Sequence, residues 1–232
     1  MILLALDSTA TVATAAIVKD GEVLAADTVN CGRTHSETLL PLIETLYHKA
    51  GVKPSDTDVY ACSAGPGSFT GVRIGAALIK GLAFGGKPCV GVSTLEALAE
   101  NLSGVTGIVS PVMDARRGQV YNALFRAKDG SLERLTPDRV IMLDDLDREL
   151  SRYDEPIYFS GDGYPLTHDA VAHPKKQETP EALVLQNAVS VAKVALREYH
   201  KGSAVSDGEL RPIYLRAPQA ERERMERLKQ TT

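Results

Sequence analysis

The sequence lacks an excess of basic residues. Its 232 residues include 26 lysines and arginines against 30 aspartates and glutamates, so the formal net charge is -4 at pH 7. Because a chain of this charge has no overall positive field, it does not attract a nucleic acid by itself. If RNA is bound, we expect another chain to supply most of the contact.

Cysteine is scarce as well, and no two cysteines have the CxxC spacing of a metal or redox site. Cys31, Cys62 and Cys89 are odd in number, and the last two lie in apolar runs. These features predict reduced, buried thiols in a cytoplasmic protein. The chain has no basic leader before its first apolar run and no run long enough to span a bilayer, so we expect neither secretion nor membrane insertion.

Several signatures of catalytic or cofactor-binding sites are absent. A phosphate-binding loop needs a lysine after its last glycine, but none follows Gly71, and a dinucleotide-binding loop needs a glycine where Thr70 stands. A nucleophile elbow needs glycines two residues before and after its serine, and neither Ser63 nor Ser68 has both. No two histidines have the one-turn spacing of a helical metal site. We therefore expect no catalytic residue, no metal and no bound cofactor.

One stretch, from Val59 to Phe84, predicts a buried strand, a tight turn and a buried helix. Val59–Ala64 is a short apolar run, and the Gly-Pro-Gly sequence after it interrupts any regular element. Ser68 is placed to cap the helix that follows. That helix carries only two charges before Phe84, so we expect neighbours to cover most of its circumference.

Glycines recur every four residues at the start of this helix, at positions 67, 71 and 75. Glycine is less favourable than alanine inside a helix by about 1 kcal/mol, so three of them indicate a packing requirement. They form a flat stripe where another backbone can approach closely. Two interpretations have equal weight: the stripe packs on this chain's own sheet, or it contacts a second protein.

The residues before this stretch predict three strands and a helix. Ile2–Leu6 is a continuous apolar run, and the Asp-Gly pair at 20–21 lies between two strand-like runs, which predicts a hairpin. Thr34 and Glu37 form a capping box for a helix that Gly51 ends. Strand, strand, strand, helix, strand, helix, strand, helix is therefore the predicted order of the first half.

A linker at residues 103–107 precedes a second set of elements. Residues 119–125 alternate as one strand, and residues 182–199 have the apolar spacing of a helix. The last residues are charged and lack an apolar stripe, which predicts a frayed or mobile tail. We therefore predict an N-terminal lobe at residues 1–103, a C-terminal lobe at 104–218 and a tail at 219–232.

Acidic residues follow three of the predicted strands, where the residues of a cleft between sheets gather. They are Asp7, with Ser8 beside it, Asp114, with Arg116 beside it, and Asp162. Carboxylates in a cleft bind magnesium for phosphoryl transfer. Asp and Ser also bond their own backbone at strand ends, and this turn-making role is the favoured interpretation.

Several motifs along the chain carry a family resemblance. In order they are Asp-Ser-Thr at 7–9, His-Ser-Glu at 35–37, Gly-Pro-Gly-Ser-Phe-Thr-Gly-Val-Arg at 65–73, Asp-Ala-Arg-Arg-Gly at 114–118, Gly-Asp-Gly at 161–163 and Pro-Ile-Tyr-Leu-Arg at 212–216. This series strongly resembles the TsaB (YeaZ) family of bacterial tRNA threonylcarbamoyladenosine biosynthesis proteins, over nearly the whole chain. The resemblance implies an α/β, two-lobed fold with mixed sheets, of the actin-like, Hsp70-like and sugar-kinase-like (ASKHA, RNase H-like) class.

The resemblance also implies a role without catalysis. TsaB-like proteins are similar to the catalytic subunit TsaD, which binds a metal through two histidines in a Gly-Val-x-His-x-Glu-x-His stretch. The matching stretch here begins at Gly91, and Thr94 and Leu98 stand where the two histidines would be. Neither side chain replaces an imidazole as a ligand. The older glycoprotease (peptidase M22-like) label therefore finds no support in these residues.

TsaB-like chains are expected to pair with TsaD, and in isolation with themselves, through their first two helices. A TsaE-like ATPase is expected to join the pair, which moves a threonylcarbamoyl group to the adenosine beside the anticodon of ANN-decoding tRNAs. The residues that the resemblance places at this interface are His35, Leu39, Leu42, Leu46, Gly67, Phe69, Gly71, Val72, Gly75 and Ile79. The alternative hypothesis is an independent actin-like ATPase or small-molecule kinase that uses the acidic strand ends.

Overall fold

Two β-sheets organise residues 1–216, the part of the chain that this computed structural model describes. The first sheet and its helices comprise β1 (Ile2–Asp7), β2 (Ala13–Lys19), β3 (Glu22–Val29), α1 (His35–Ala50), β4 (Val59–Gly65), α2 (Phe69–Leu82), β5 (Cys89–Ser93) and α3 (Thr94–Glu100). The second half comprises β6 (Gly107–Asp114), β7 (Gln119–Asn122), β8 (Phe125–Lys128), β9 (Ser131–Arg134), β10 (Arg139–Met142), α4 (Leu143–Leu150), β11 (Ile157–Ser160), α5 (Tyr164–Ala170) and α6 (Ala188–His200).

The first sheet has the strand order β3-β2-β1-β4-β5. β1 pairs antiparallel with β2, as does β2 with β3, whereas β4 runs parallel to both β1 and β5. Asp20 and Gly21 both have positive φ, of 52° and 89°, which confirms the predicted hairpin turn between β2 and β3. β1 is central and buried on both faces, as its continuous apolar sequence predicts.

Helices α1 and α2 lie side by side on one face of this sheet. The Glu37 carboxylate accepts from the Thr34 amide at 3.1 Å and from its hydroxyl at 2.7 Å, and Gly51 ends α1 in the left-handed conformation, as predicted. Ser68 accepts from the Gly71 amide at 3.3 Å, so it caps α2. Both helices pack into one core cluster with β1, β2 and β4.

In the second sheet the predicted single strand at residues 119–125 is wrong, because the structure has two strands, β7 and β8. β7 pairs with residues 112–114 of β6, and β8 pairs with residues 107–109, so the ladder is interrupted opposite Ser110 and Pro111. Pro111 has no N–H to donate. The buried Asn122 side chain bridges the gap by donating to the Ser110 hydroxyl at 3.0 Å and the Pro111 carbonyl at 3.1 Å.

Helix α6 differs from the prediction in its start and in its packing. It begins at Ala188 rather than near residue 182, because the Asn187 side chain caps it by accepting from the Val189 amide at 2.9 Å. Val191, Ala192 and Ala195 pack on the first sheet, on the face opposite α1 and α2. The chain therefore returns to its first half after the second sheet, although α6 falls within the predicted C-terminal lobe.

The predicted α/β class with mixed sheets is confirmed, because the protein has two sheets with parallel and antiparallel pairs and each sheet has its own core clusters. β10, α4 and α5 occupy residues for which the sequence predicted no element. The predicted tail at 219–232 lies outside the described residues. Among residues 1–216, no helix combines the length and apolarity needed to cross a bilayer.

Candidate functional site

A cavity of about 480 Å³ lies where the strand ends of the two sheets meet. One wall is the turn from β4 into α2, which contributes Pro66, Gly67, Ser68, Phe69 and Thr70. The opposite wall comes from the second half and contributes Met113, Asp114, Ala115, Arg116, Tyr121 and Asp162. The turn after β1, at Thr9–Thr11, and a segment near the end of the described chain, Ile213–Arg216, complete the lining.

Asp7 and Ser8 are buried and lie outside the lining of this cavity. The Asp7 carboxylate accepts from the Ser63 hydroxyl at 2.5 Å and from both the amide and the hydroxyl of Thr9 at 2.7 Å. The Ser8 hydroxyl donates to the Gly71 carbonyl at 2.8 Å. Burial raises the pKa of Asp7, although these hydrogen bonds act against the shift. Both side chains therefore fix the β1 turn, as the turn-making interpretation predicts.

Asp114, Arg116 and Asp162 all line the cavity. The Arg116 guanidinium lies 3.2 Å from the Asp114 carboxylate, whose other oxygen accepts from the Arg116 amide at 2.7 Å. Burial raises the pKa of Asp162 to about 6, and the negative charge of Asp114 adds to the rise, while the Asp114 amide opposes it. Near neutral pH this wall therefore holds one paired carboxylate and one carboxylate close to its titration range.

The turn that carries Arg116 has an unusual backbone. Arg116, Arg117 and Gly118 have φ values of 67°, 58° and 69°, so three successive residues are left-handed. Residues other than glycine adopt this conformation only when the surroundings impose it. The Asp-Ala-Arg-Arg-Gly motif therefore specifies a turn that projects the Arg116 side chain, 83% exposed, beside the cavity.

The segment from Leu210 to Arg216, called the strap below, crosses from one half of the protein to the other. Its Ile213 amide donates to the Ala64 carbonyl at the end of β4, at 2.6 Å. At its far end the Arg216 guanidinium donates to the Ala115 carbonyl at 2.7 Å and to the Gln119 side chain. Gly65 has φ of 120°, and a Cβ there would overlap the Ile213 carbonyl oxygen, so the strap lies directly on the turn.

The glycine stripe packs on this chain's own first strand, as the first of its two interpretations predicts. A Cβ on Gly67 would lie 2.6 Å from the Thr9 carbonyl oxygen, and one on Gly71 would overlap the Ser8 carbonyl oxygen. A Cβ on Gly75 would lie 2.6 Å from the Ser8 hydroxyl. β1 and its turn therefore lie against these three glycines within the chain, and their predicted place at a partner interface stays a prediction.

Most apolar residues predicted at the interface are buried in the core of this chain. Among them, Leu39, Leu42, Leu46 and Ile79 lie in the α1–α2 core with at most 7% exposure, and Val72 is 1% exposed. His35 is half-buried, and its Nε2 donates to the Ala10 carbonyl at 2.7 Å. Phe69 packs against Tyr214 with ring centroids 4.9 Å apart, so it too has a partner within the chain.

The outer face of α1 and α2 carries apolar side chains that the sequence analysis did not select. Leu40 is 44% exposed and Phe84, just after α2, is 83% exposed. On α2, Ala77 is exposed, and Ile74 and Leu78 are half-buried. Helical spacing contained the signal for Ala77, because it follows Gly75 by two residues and so lies on the opposite side of the helix.

Comparison with known proteins agrees with this fold and this site. A family model described as "TsaD: tRNA N6-adenosine threonylcarbamoyltransferase" matches residues 29–223, which defines the wider class of the chain. The tRNA threonylcarbamoyladenosine biosynthesis protein TsaB of Bacillus subtilis (strain 168) is 34% identical over 230 residues, covering 95% of this chain and 96% of that protein. TsaB of Escherichia coli (strain K12) is 28% identical over 221 residues, covering 93% and 95%.

Two solved structures from Pseudomonas aeruginosa are similar in shape. YeaZ superposes with a TM-score of 0.78 at 26% identity, covering 92% of this chain and 99% of that one. A protein described as similar to the peptidase YeaZ gives a TM-score of 0.81 at 26% identity, with coverage of 93% and 99%. The chain therefore belongs to the TsaB (YeaZ) family.

Proposed function

We propose that this protein is a non-catalytic partner of a TsaD-like enzyme. In that role it supports transfer of a threonylcarbamoyl group to the adenosine beside the anticodon of ANN-decoding tRNAs. The observation that carries the proposal is the exposed apolar outer face of α1 and α2. Exposed apolar patches of this kind are characteristic of protein interfaces.

The outer face combines a shallow apolar surface with small residues. Leu40 and Phe84 stand out from it, while exposed Ala77 and Gly81 on α2 leave room for a partner helix to approach. Large side chains beside a flat surface are typical of the central residues of an interface. The inner faces of the same helices are already packed on the sheet, so a partner that binds here leaves the fold of this chain unchanged.

The residues that replace the metal ligands support a role without catalysis. Thr94 and Leu98 lie on α3 and are 0% and 1% exposed, with Leu98 packed in a core cluster between α3 and the second sheet. Within residues 1–216, no three His, Cys, Asp or Glu side chains are grouped as a metal site. Catalytic groups would therefore come from the TsaD-like subunit. The older peptidase label finds no support in the residues of this chain.

The proposal extends to the other members of the complex. A TsaE-like ATPase joins the pair, and tRNA is held through the complex because this chain has a net charge of -4. In the absence of the catalytic subunit, the same outer face pairs with a second copy of the chain in the cytoplasm. A self-complementary helical face permits this exchange of partners.

The alternative of an independent ATPase or kinase draws on the cavity and its acidic wall. Its weakness is that the Asp7 carboxylate accepts three hydrogen bonds from its own turn and neighbour, and that Asp114 is paired with Arg116. Calorimetry with Mg-ATP separates the two functions. Micromolar binding by the lone chain would favour the kinase, and no detectable heat favours the partner.

Reconstituted tRNA modification tests the proposed role. The purified chain alone should leave tRNA unmodified, whereas its addition to the TsaD-like and TsaE-like subunits with threonylcarbamoyl-adenylate should raise the rate. Leu40→Arg should lose most of this stimulation, because it places a charge on the outer face. Leu166→Arg is the matched control, since Leu166 is 43% exposed on α5, away from α1 and α2. No stimulation by the unchanged chain would refute the role.

A further inference from the structure

We propose that the strap is a latched lid over the cavity and that a TsaD-like subunit releases its latch by docking on the outer face of α2. The coupling rests on the proposed function, whereas the latch itself does not. The strap supplies Ile213, Tyr214, Leu215 and Arg216 to the cavity lining. It is therefore placed to control access to the space between the two halves.

Both ends of the strap are held by identified contacts. Leu210 is 2% exposed and packed in the α1–α2 core, which anchors the start. Arg216 holds the other end through its bonds to Ala115 and Gln119 on the left-handed turn of the second half. Between them, Ile213 and Tyr214 remain 43% and 40% exposed. Opening the middle of this segment breaks the Ile213–Ala64 hydrogen bond and the contacts of Tyr214, which are few.

The middle of the strap is attached to α2 through Arg73. The Arg73 Nε donates to the Tyr214 hydroxyl at 2.9 Å, and its guanidinium carbon lies 3.8 Å from the centroid of the Phe69 ring. Phe69, Arg73 and Tyr214 thus form a stack at the mouth of the cavity. Cation–π and hydrogen-bond contacts of this type are individually weak at exposed sites, so a competing group displaces them readily.

Arg73 also belongs to the outer face of α2. It is exposed and lies four residues before Ala77, so the two side chains project from the same side of the helix. A partner that covers Ala77 would therefore reach the Arg73 guanidinium and compete with Tyr214 for it. Docking on α2 and release of the strap are linked through this one side chain, and linkage requires that opening the lid also changes partner affinity.

Hydrogen–deuterium exchange on the full chain tests the latch. Arg216→Ala should raise the exchange rates of the amides at 115–119 and 213–215 by about tenfold or more, because the bonds that join the strap to the turn of the second half are lost. Arg211→Ala is the matched control, since within residues 1–216 the Arg211 guanidinium bonds to Gly208 and Leu210 and not to the second half. Equal exchange in the two variants would overturn the latch.

A milder variant covers the case in which Arg216→Ala disrupts the whole fold. Tyr214→Phe removes only the hydroxyl that accepts from Arg73, and it should raise exchange at 213–215 about twofold to fivefold while the amides of β1 and β4 stay protected. Unchanged exchange at 213–215 in Tyr214→Phe would contradict the attachment of the strap to α2.

Addition of a TsaD-like subunit tests the coupling. We expect slower exchange along α2 together with faster exchange at 213–215. Protection of α2 with no change in the strap would overturn the coupling and leave the proposed function intact. No protection of α2 at all would instead refute the proposed docking face.

Discussion

The two faces of α2 differ in what covers them. On the inner face Gly71 and Gly75 lie against Leu6 and Ser8, so closely that an added methyl group would meet them. On the outer face Gly81 has open space around it, and Ala77 is exposed. Glycine therefore occurs on both sides of α2. On one side the chain's own strand approaches it closely, and on the other side the surface is open.

This difference shows how to separate a folding motif from a binding motif on one helix. The glycine pattern serves the fold, because it lets α2 approach the turn at the end of β1. The binding role belongs to side chains that remain exposed once the fold is complete. Substitutions on the inner face should therefore change stability, and substitutions on the outer face should change binding.

The largest effect is expected at Gly71. Its Cβ would overlap the Ser8 carbonyl oxygen, a backbone atom that cannot rotate away, so Gly71→Ala should lower the free energy of unfolding by about 3 kcal/mol. Gly81→Ala on the same helix should instead raise it by about 0.5 kcal/mol, since nothing lies within 4 Å and alanine favours the helix. Urea unfolding of the two variants measures both values, and equal effects would contradict the distinction between the faces.

The acidic wall beyond the N-terminus of α2 gives the next largest effect. The folded-state pKa of Asp162 is about 6 against an ordinary value of 3.8, so its contribution to stability is present at low pH and is lost as the pH rises through about 6. Asp162→Asn removes this loss. Its free energy of unfolding relative to the unchanged chain should increase by about 2–3 kcal/mol between pH 4 and pH 7.5.

Urea unfolding at several pH values checks the Asp162 prediction. Asp114→Asn serves as a comparison, because Asp114 is paired with Arg116 and its loss removes a favourable contact. A difference between Asp162→Asn and the unchanged chain that stays constant from pH 4 to pH 7.5 would show that Asp162 does not titrate in this range. The free-energy cost of burying a charged carboxylate would then arise outside the cavity.

Gly75→Ala should have a smaller effect than Gly71→Ala. The added Cβ would lie 2.6 Å from the Ser8 hydroxyl, which rotates away but loses its bond to the Gly71 carbonyl. We expect destabilisation by about 1 kcal/mol. In a Ser8→Ala background the same change should be nearly neutral, and a double-mutant cycle by thermal unfolding measures the coupling. An undiminished effect in that background would place the strain at Leu6 instead.

The smallest effect on stability is expected on the outer face. Phe84 is 83% exposed, so Phe84→Ala should change the free energy of unfolding by less than about 0.5 kcal/mol. The same variant should form fewer homodimers, as measured by sedimentation velocity, because its aromatic ring is exposed to water only in the monomer. A large loss of stability would show that Phe84 packs within the chain.

The sequence predicted the local structure wherever one residue pattern has one solution. The Asp-Gly hairpin, the capping box of α1 and the buried β1 run all depend on near neighbours. The break between β7 and β8 depends instead on Pro111, in a different strand, and the packing of α6 depends on a sheet formed by residues far away in the chain. Patterns within a short window do not contain these contacts.

The candidate site was predicted in part for the same reason. Asp114, Arg116 and Asp162 meet because strand ends meet, which the sequence order predicts. The spacing of the glycines at 67, 71 and 75 predicted a close contact but not with which chain. Choosing between partner and sheet required the position of Ser8, whose carbonyl occupies the stripe.

The central claim is that a TsaD-like subunit binds to the outer face of α1 and α2. Affinity for that subunit tests the claim most directly. Surface plasmon resonance should show that Leu40→Arg, at 44% exposure, weakens binding by about 30-fold or more, as expected for the loss of a central contact. Leu166→Arg, at 43% exposure, should stay within about twofold of the unchanged chain. Equal affinities for the two variants, or a loss confined to Leu166→Arg, would contradict the account.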